Sequence, residues 1–239
     1  MYYEIHGEGS PLVLLHYFTG TSKSWEPYIG DLAKEYRLII PGMRGHGRST
    51  NSATQFTHRQ SAQDISALLD HLQIDRFKGM GLSHGGMTLL EMVTQQPTRT
   101  EAAIFISTGG QLSEQGRAEI RGISAQEGDE WWKGLQQDHV LGDDQIRALF
   151  AQARDVTDNC EEVNFTPAHL FTITDRTLIM GGDRDTIFPV PTLVEMYASI
   201  PNAYLWIVPN EGHYNLLWAR QAELVQAALE SLRGDWEAT

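Results

Sequence analysis

A serine stands between two glycines at Gly81-Leu82-Ser83-His84-Gly85. The run Phe77 to Leu82 leading into it is apolar apart from Lys78 and two glycines, and an amphipathic segment, Met87 to Gln96, leads out. A strand, a sharp turn and a helix put Ser83 at the tip of the turn with its hydroxyl exposed. Side chains two residues before or after the serine would collide in so tight a turn, so small residues are wanted at both positions. The helix that follows aims its first N–H groups at whatever the hydroxyl attacks.

A serine hydroxyl is a poor nucleophile at neutral pH. It needs a base with a pKa near 7 within hydrogen-bond reach, and the base needs a carboxylate to orient it. Two later loops offer these groups. Gly181-Gly182-Asp183-Arg184-Asp185-Thr186-Ile187-Phe188-Pro189 carries two carboxylates, and Pro209-Asn210-Glu211-Gly212-His213-Tyr214 carries a histidine. Each loop follows a short apolar run, Thr177 to Gly181 and Ala203 to Val208. In open parallel sheets ligands bind outside the carboxyl ends of the strands, so the three loops are expected to converge. The order Ser, Asp, His is the one such triads take on α/β sheets. Residue type alone leaves both Asp183 and Asp185 open as the acid.

The elements that must position these loops alternate in type. Pro11 to His16, Arg37 to Ile40 and Ala102 to Ile106 are continuous apolar runs of the kind buried on both faces of a sheet. Between them, Ser24 to Glu35 is helix-like, and Thr57 with Gln60 forms a capping box ahead of Ile65, Leu68, Leu69 and Leu72 at helical spacing. Helices are also expected over Val190 to Ser199 and Leu216 to Leu232. The alternation implies an α/β fold with a mostly parallel, doubly wound sheet and right-handed crossovers. Its rhythm breaks between Gln111 and Leu170, a helix-like stretch with Trp131, Trp132, Leu135, Ile146, Leu149 and Phe150. Residues 111–170 are therefore expected as a helical insertion into a core of 1–110 and 171–239.

Composition narrows the partners. The chain has 239 residues, 41% hydrophobic, and carries 18 Lys and Arg against 31 Asp and Glu, a net charge of −13. An acidic surface repels phosphate backbones and anionic lipids, which argues against nucleic acid. Cys160 is the one cysteine, so no disulfide can form within the chain, which fits a reducing, cytoplasmic compartment. The start of the chain has no signal-peptide pattern, and no apolar run approaches the roughly 20 residues of a membrane span. Nine histidines form no H-E-x-x-H and no cysteine pair sits at metal spacing, so no metal is expected. Without G-K-[ST], or a G-x-G-x-x-G after the first strand, phosphate-bearing cofactors are not expected either.

Taken together, these motifs resemble the α/β-hydrolase fold superfamily over essentially the whole chain. Besides the serine turn, Leu14-Leu15-His16-Tyr17-Phe18-Thr19-Gly20 resembles the family's H-G-F-x-G oxyanion loop. Pro41-Gly42-Met43-Arg44-Gly45-His46-Gly47-Arg48-Ser49 resembles its P-D-x-R-G-H-G-x-S loop. The segment from Gly182 to Pro189 resembles its acid loop, and Gly212-His213 its G-H pair. The resemblance implies Ser83 as nucleophile, His213 as base, Asp185 as orienting acid, and the backbone N–H groups of Phe18 and His84 as the oxyanion hole. Asp185 is preferred over Asp183 because its spacing to Ile187 and Pro189 is the family's. Two positions depart from the pattern. Tyr17 stands where the family usually has Gly and is expected to place its phenol in the site, as a wall in preference to a donor. Gly42 stands where the family usually has Asp and is expected to cause a local rearrangement only. His46 is expected to order its loop.

In this family an inserted lobe caps the site, so Trp131 or Trp132 is expected to line the pocket. Trp25, Phe188 and Leu216, which follow catalytic loops, are further wall candidates. The implied activity is cofactor-free hydrolysis of a small to medium, largely apolar carboxylic ester through an acyl-enzyme. Thioester, lactone and carbon–carbon hydrolysis use the same triad in the family and stay open, as does a weakly catalytic ligand-binding relative. A serine nucleophile argues against the family's haloalkane and epoxide branches, which use aspartate there.

Overall fold

The computed structural model describes residues 1–51, 56–159, 162–213 and 216–236, with only the backbone of residues 216 and 217. Cys160 lies outside these residues. In chain order the elements are β1 (Tyr3–His6), β2 (Ser10–Leu15), a 3-10 turn (Ser22–Trp25), α1 (Glu26–Leu32), β3 (Tyr36–Pro41), α2 (His58–His71), β4 (Phe77–Leu82), α3 (His84–Gln95) and β5 (Thr100–Ile106). Then follow α4 (Glu114–Gly122), α5 (Glu130–Asp138), α6 (Asp143–Asp158), α7 (Pro167–Leu170), β6 (Arg176–Gly182), α8 (Val190–Ser199), β7 (Ala203–Val208), α9 (Leu216–Ala219) and α10 (Gln221–Arg233).

The strands form one sheet in the order β1-β3-β2-β4-β5-β6-β7. β2 through β7 run parallel to their neighbours, and β1 pairs antiparallel with β3, Tyr3 opposite Pro41. The α/β, doubly wound class read from the sequence is the one observed. Alternate residues of the central strands serve opposite faces. Val13, Leu15, Ile39, Phe105 and Ile179 meet Leu69, Leu89, Leu90 and Leu193 from α2, α3 and α8. Leu12, Leu14, Leu38, Ile104 and Met180 meet Tyr28, Leu32, Leu224 and Leu232 from α1 and α10. Burial on both faces is why these strands read as unbroken apolar runs rather than alternating ones.

Three readings of local structure need correction. β1 was not expected: four residues with one exposed and three half-buried carry no apolar run to announce an edge strand. The helix expected over Leu216 to Leu232 is interrupted at Arg220, whose φ of −131° and ψ of 35° are not helical. The capping box ahead of α2 is half formed. The Thr57 hydroxyl accepts the Gln60 N–H at 3.0 Å, while the Gln60 side chain donates forward to Asp64 at 3.5 Å instead of accepting the Thr57 N–H. At the Gly42 departure, the Gly42 N–H donates to the Tyr2 carbonyl at 3.0 Å and its carbonyl accepts from the Ser49 hydroxyl at 2.6 Å. That stitches the loop to the start of β1.

α4 to α7 all fall between β5 and β6 and contribute no strand to the sheet. They carry a small core of their own, Trp132, Leu135, Ile146 and Phe150, against which Phe18 packs. The buried guanidinium of Arg117 on α4 ties the end of α6 together by donating to the carbonyls of Thr157 at 3.0 Å and Asn159 at 3.2 Å. Those carbonyls belong to a helix C-terminus, where unpaired acceptors and a negative dipole end favour a cation. Among the described residues no helix is long and apolar enough to cross a membrane.

Candidate active site

Ser83 sits between the end of β4 and the start of α3 with φ 50° and ψ −113°. A positive φ is rare for a residue with a side chain and is strained by of order 1–3 kcal/mol, so the surroundings must impose it. They do so through the Ser83 backbone. Its N–H donates to the Ile106 carbonyl at 2.9 Å, and its carbonyl accepts the Met87 N–H at 2.9 Å and the buried Thr108 hydroxyl at 3.1 Å. The flanking glycines are needed for space: a Cβ on Gly81 would come within 2.6 Å of the Gly85 carbonyl oxygen, and one on Gly85 would strike the Leu15 carbonyl.

The ends of β6 and β7 bring the other two groups in. The Ser83 hydroxyl lies 2.8 Å from His213 Nε2, and His213 Nδ1 lies 2.8 Å from Asp185 Oδ2. The Asp185 side chain is fully buried, and its second oxygen accepts the N–H groups of Ile187 and Phe188, each at 2.9 Å. A carboxylate saturated in this way has one direction left, toward the imidazole. His213 Nδ1–H then donates to Asp185, leaving the Nε2 lone pair to take the Ser83 proton. Asp183 does something else: it accepts the Asn210 N–H at 2.6 Å and so ties the loop before His213 to the end of β6.

Ser83 and His213 open into a cavity of about 510 Å³. Its walls are mostly apolar, with Phe56, Met87, Ile187 and Trp218 from the core and Ile123, Trp131 and Val156 from the inserted helices. Tyr17, Phe18 and His84 also line it. Phe18 follows β2 in the loop expected to face the oxyanion. His84 is the first residue of α3, so its N–H has no acceptor within the helix.

A family model of the alpha/beta hydrolase fold matches residues 10–170. The chain belongs to this family. It is 37% identical over 86 residues to a soluble epoxide hydrolase of Corynebacterium sp. (strain C12), a match covering 36% of this chain and 30% of that one. It is 31% identical over 115 residues to 3-oxoadipate enol-lactonase 2 of Acinetobacter baylyi, covering 46% and 43%. The matches thus span less than half the length of either relative. Among solved structures, Est816, described as an N-acyl homoserine lactone degrading enzyme, superposes with a TM-score of 0.77 at 26% identity, covering 98% of this chain and 95% of that one.

In this alpha/beta hydrolase fold, the wall residues expected from sequence divide. Tyr17 and Trp131 line the cavity. Trp25 does not: it is fully buried on the opposite face of the sheet, edge to face with Tyr28 at 5.8 Å. Trp132 points into the small core of the inserted helices. Phe188 is buried with its ring centroid 6.0 Å from that of His213, behind the imidazole rather than in the wall. The Leu216 side chain lies outside the described residues.

Sequence reasoning missed a group of buried imidazoles around the site. His16 Nδ1 donates to the Tyr17 carbonyl at 2.9 Å and its Nε2 accepts the Met43 N–H at 3.0 Å, joining the loops after β2 and β3. His46 Nδ1 donates to the Arg44 carbonyl at 3.0 Å, and its ring lies 4.9 Å from His16 and 5.3 Å from His84. His58, at the start of α2, meets both His84 and Glu162, and His139, after α5, meets the loops around Thr19 and Gly47. Burial lowers the pKa of His16 to about 4 and holds His46 and His84 well below the ordinary range. His139 is lowered for the same reason. His16, His46, His84 and His139 are therefore neutral at pH 7. Of the five imidazoles, His16, His46 and His84 lie inside motifs legible in the sequence, and His58 and His139 do not.

Proposed function

We propose that the protein is a serine hydrolase that cleaves carboxylic esters of small to medium, largely apolar substrates through an acyl-enzyme. The observation that carries the reading is the unbroken hydrogen-bonded series Ser83–His213–Asp185 opening into an apolar cavity. Ser83 Oγ attacks the ester carbonyl while His213 Nε2 takes its proton, and Asp185 stabilises the imidazolium without accepting a proton itself. The oxyanion forms against the N–H groups of Phe18 and His84, donors already in place before charge develops. His213 then protonates the departing alcohol, and water, activated by the same imidazole, releases the acid. Residues 111–170 act as a cap, contributing Ile123, Trp131 and Val156 to the apolar roof. The lactone named for Est816 and the enol-lactone named for the Acinetobacter relative contain the same acyl–oxygen bond, which supports this bond over an epoxide.

A p-nitrophenyl ester series from acetate to dodecanoate, run beside acyl-CoA thioesters and a γ-lactone, tests the substrate class. We expect kcat/KM to peak at short to medium acyl chains and fall beyond them, with thioesters of equal chain length slower. Faster turnover of the thioesters would overturn the assignment.

Asp185→Asn gives a second test. The amide oxygen can keep the two backbone N–H donors, so stability should change little. Its NH2 then faces His213 Nδ1 and holds the ring in the tautomer that cannot accept the Ser83 proton. The kcat is expected to fall by about 10⁴-fold, measured against the wild-type enzyme at pH 7.5. A loss below tenfold would remove Asp185 from the role.

A further inference from the structure

We propose that the inserted helices help position the catalytic machinery because two buried histidine tethers running from them hold the Thr19 carbonyl, next to Phe18, and the His84 ring. Phe18 and His84 are the two residues whose backbone N–H groups face the oxyanion. The inference rests on the reading of Phe18 and His84 as the oxyanion donors.

The first tether is His139, which caps the C-terminus of α5 and is 1% exposed. Its Nε2–H donates to the Thr19 carbonyl at 3.0 Å, and its Nδ1 accepts the Gly47 N–H at 2.9 Å. Thr19 directly follows Phe18 and has a φ of 62°, a left-handed conformation costly for a β-branched residue. The loop therefore needs bonds from outside to hold its shape. It receives one from His139 on the insertion side and one from His16 on the core side, where Nδ1 donates to the Tyr17 carbonyl. Both bonds of His139 require a neutral ring, and its burial keeps it neutral.

The second tether begins at Glu162, also on the inserted segment. One carboxylate oxygen accepts both the His58 backbone N–H at 3.1 Å and His58 Nδ1–H at 2.8 Å. His58 Nε2 is 3.2 Å from His84 Nδ1, and His84 carries the N–H next to Ser83. Arg117 holds the Glu162 end by donating to its backbone carbonyl at 3.4 Å. All four side chains are buried.

An apolar contact would seat the insertion as firmly, without desolvating a carboxylate and three imidazoles. Hydrogen bonds add direction, fixing the rotation of the Phe18–Thr19 segment and of the His84 ring. Direction matters here because oxyanion donors act over tenths of an ångström, and a displacement of about 1 Å can cost 100-fold in rate. The tethers join residues 120, 104 and 26 positions apart, bringing the insertion, the loop after β2 and the α3 start into one rigid unit. His139 and His58 are positioning residues in this account.

The test compares His139→Leu and His58→Leu with His139→Gln and His58→Gln, using steady-state ester hydrolysis, Tm, and binding of an aryl trifluoromethyl ketone. Addition of Ser83 Oγ to that ketone forms a C–O bond, sends the Ser83 proton to His213 and turns the carbonyl oxygen into the oxyanion. Each leucine variant is expected to lose about 10- to 100-fold in kcat with KM within twofold, and to lose ketone affinity by the same factor. The glutamine variants should recover most of both. At position 139 the amide offers a donor to Thr19 and an acceptor to Gly47. Lys23→Ala, which cuts the exposed ion pair to Asp138 beside the first tether, should change neither kcat nor ketone affinity. If a leucine variant does not fold, His139→Asn, whose amide falls short of Thr19, takes its place with the same expected loss. Leucine variants that keep kcat, or that raise KM alone, overturn the proposal. Wild-type enzyme with neither ester turnover nor ketone binding would instead overturn the functional reading beneath it.

Discussion

Ser83→Ala, His213→Ala and the double variant are expected to show the same loss of kcat, about 10⁶-fold each. In the proposed mechanism the alanine at 83 removes the atom that bonds to the acyl carbon. The alanine at 213 leaves that atom with a proton it cannot shed, since the hydroxyl has its base 2.8 Å away at His213 Nε2. Groups that act in one proton transfer fail together, so removing the second after the first takes away nothing further. KM should stay within a few-fold, because the apolar walls are untouched. Steady-state kinetics on the best p-nitrophenyl ester checks this against the rate without enzyme. Losses that multiply in the double variant would mean that the two side chains contribute independently, and the coupled mechanism would be wrong.

Acid should unfold this protein well above the pH at which most carboxylates titrate. His16, His46, His84 and His139 are all neutral and buried, with pKa values below the ordinary 6.5. They face one another: His46 lies 4.9 Å from His16, 5.3 Å from His84 and 6.0 Å from His139, so a charge on one opposes charge on the next. A folded-state pKa below the unfolded one means that the unfolded chain binds more protons in the interval between them. Stability is then complete above about pH 6.5 and declines as the pH falls toward the folded values. For His16, lowered to about 4, the loss amounts to roughly 3 kcal/mol once that pH is reached. Three more imidazoles move the same way, against a typical domain stability of about 5–15 kcal/mol. Urea unfolding at pH 8, 6.5, 5.5 and 5 is expected to show no change across the first two points and a steep fall across the rest, with more than two protons taken up at pH 5. His139→Gln should reduce that uptake by up to one proton. Flat stability down to pH 5 would contradict the neutral, buried assignment.

What the sequence revealed of this fold depended on how local each signal was. The central strands were legible because burial on both faces leaves continuous apolar runs, and the Ser83 turn because its glycines answer to backbone collisions within five residues. β1 was not legible, since a half-buried edge strand of four residues carries no such run. Residue type left Asp183 and Asp185 both open as the acid, the resemblance of the loop after β6 to the family's acid loop favoured Asp185, and of the two it is Asp185 that bonds His213. Trp25 misled for a physical reason: an aromatic residue just after a loop looks the same whether it faces a ligand or the far side of the sheet. The imidazoles at 58 and 139 stayed hidden because their partners, Glu162, His84, Thr19 and Gly47, lie 26 to 120 positions away. No periodicity links residues at such separations; only the folded chain brings them together.

In the proposed mechanism His213 activates Ser83 for attack on an acyl carbon. Intact mass after treatment with a fluorophosphonate tests it most directly, because phosphonylation needs an activated hydroxyl but no knowledge of the substrate. One adduct per chain is expected on the wild type, none on Ser83→Ala, and strongly slowed labelling on His213→Ala. A folded wild-type protein that takes up no adduct, or an adduct that persists on Ser83→Ala, would contradict the mechanism.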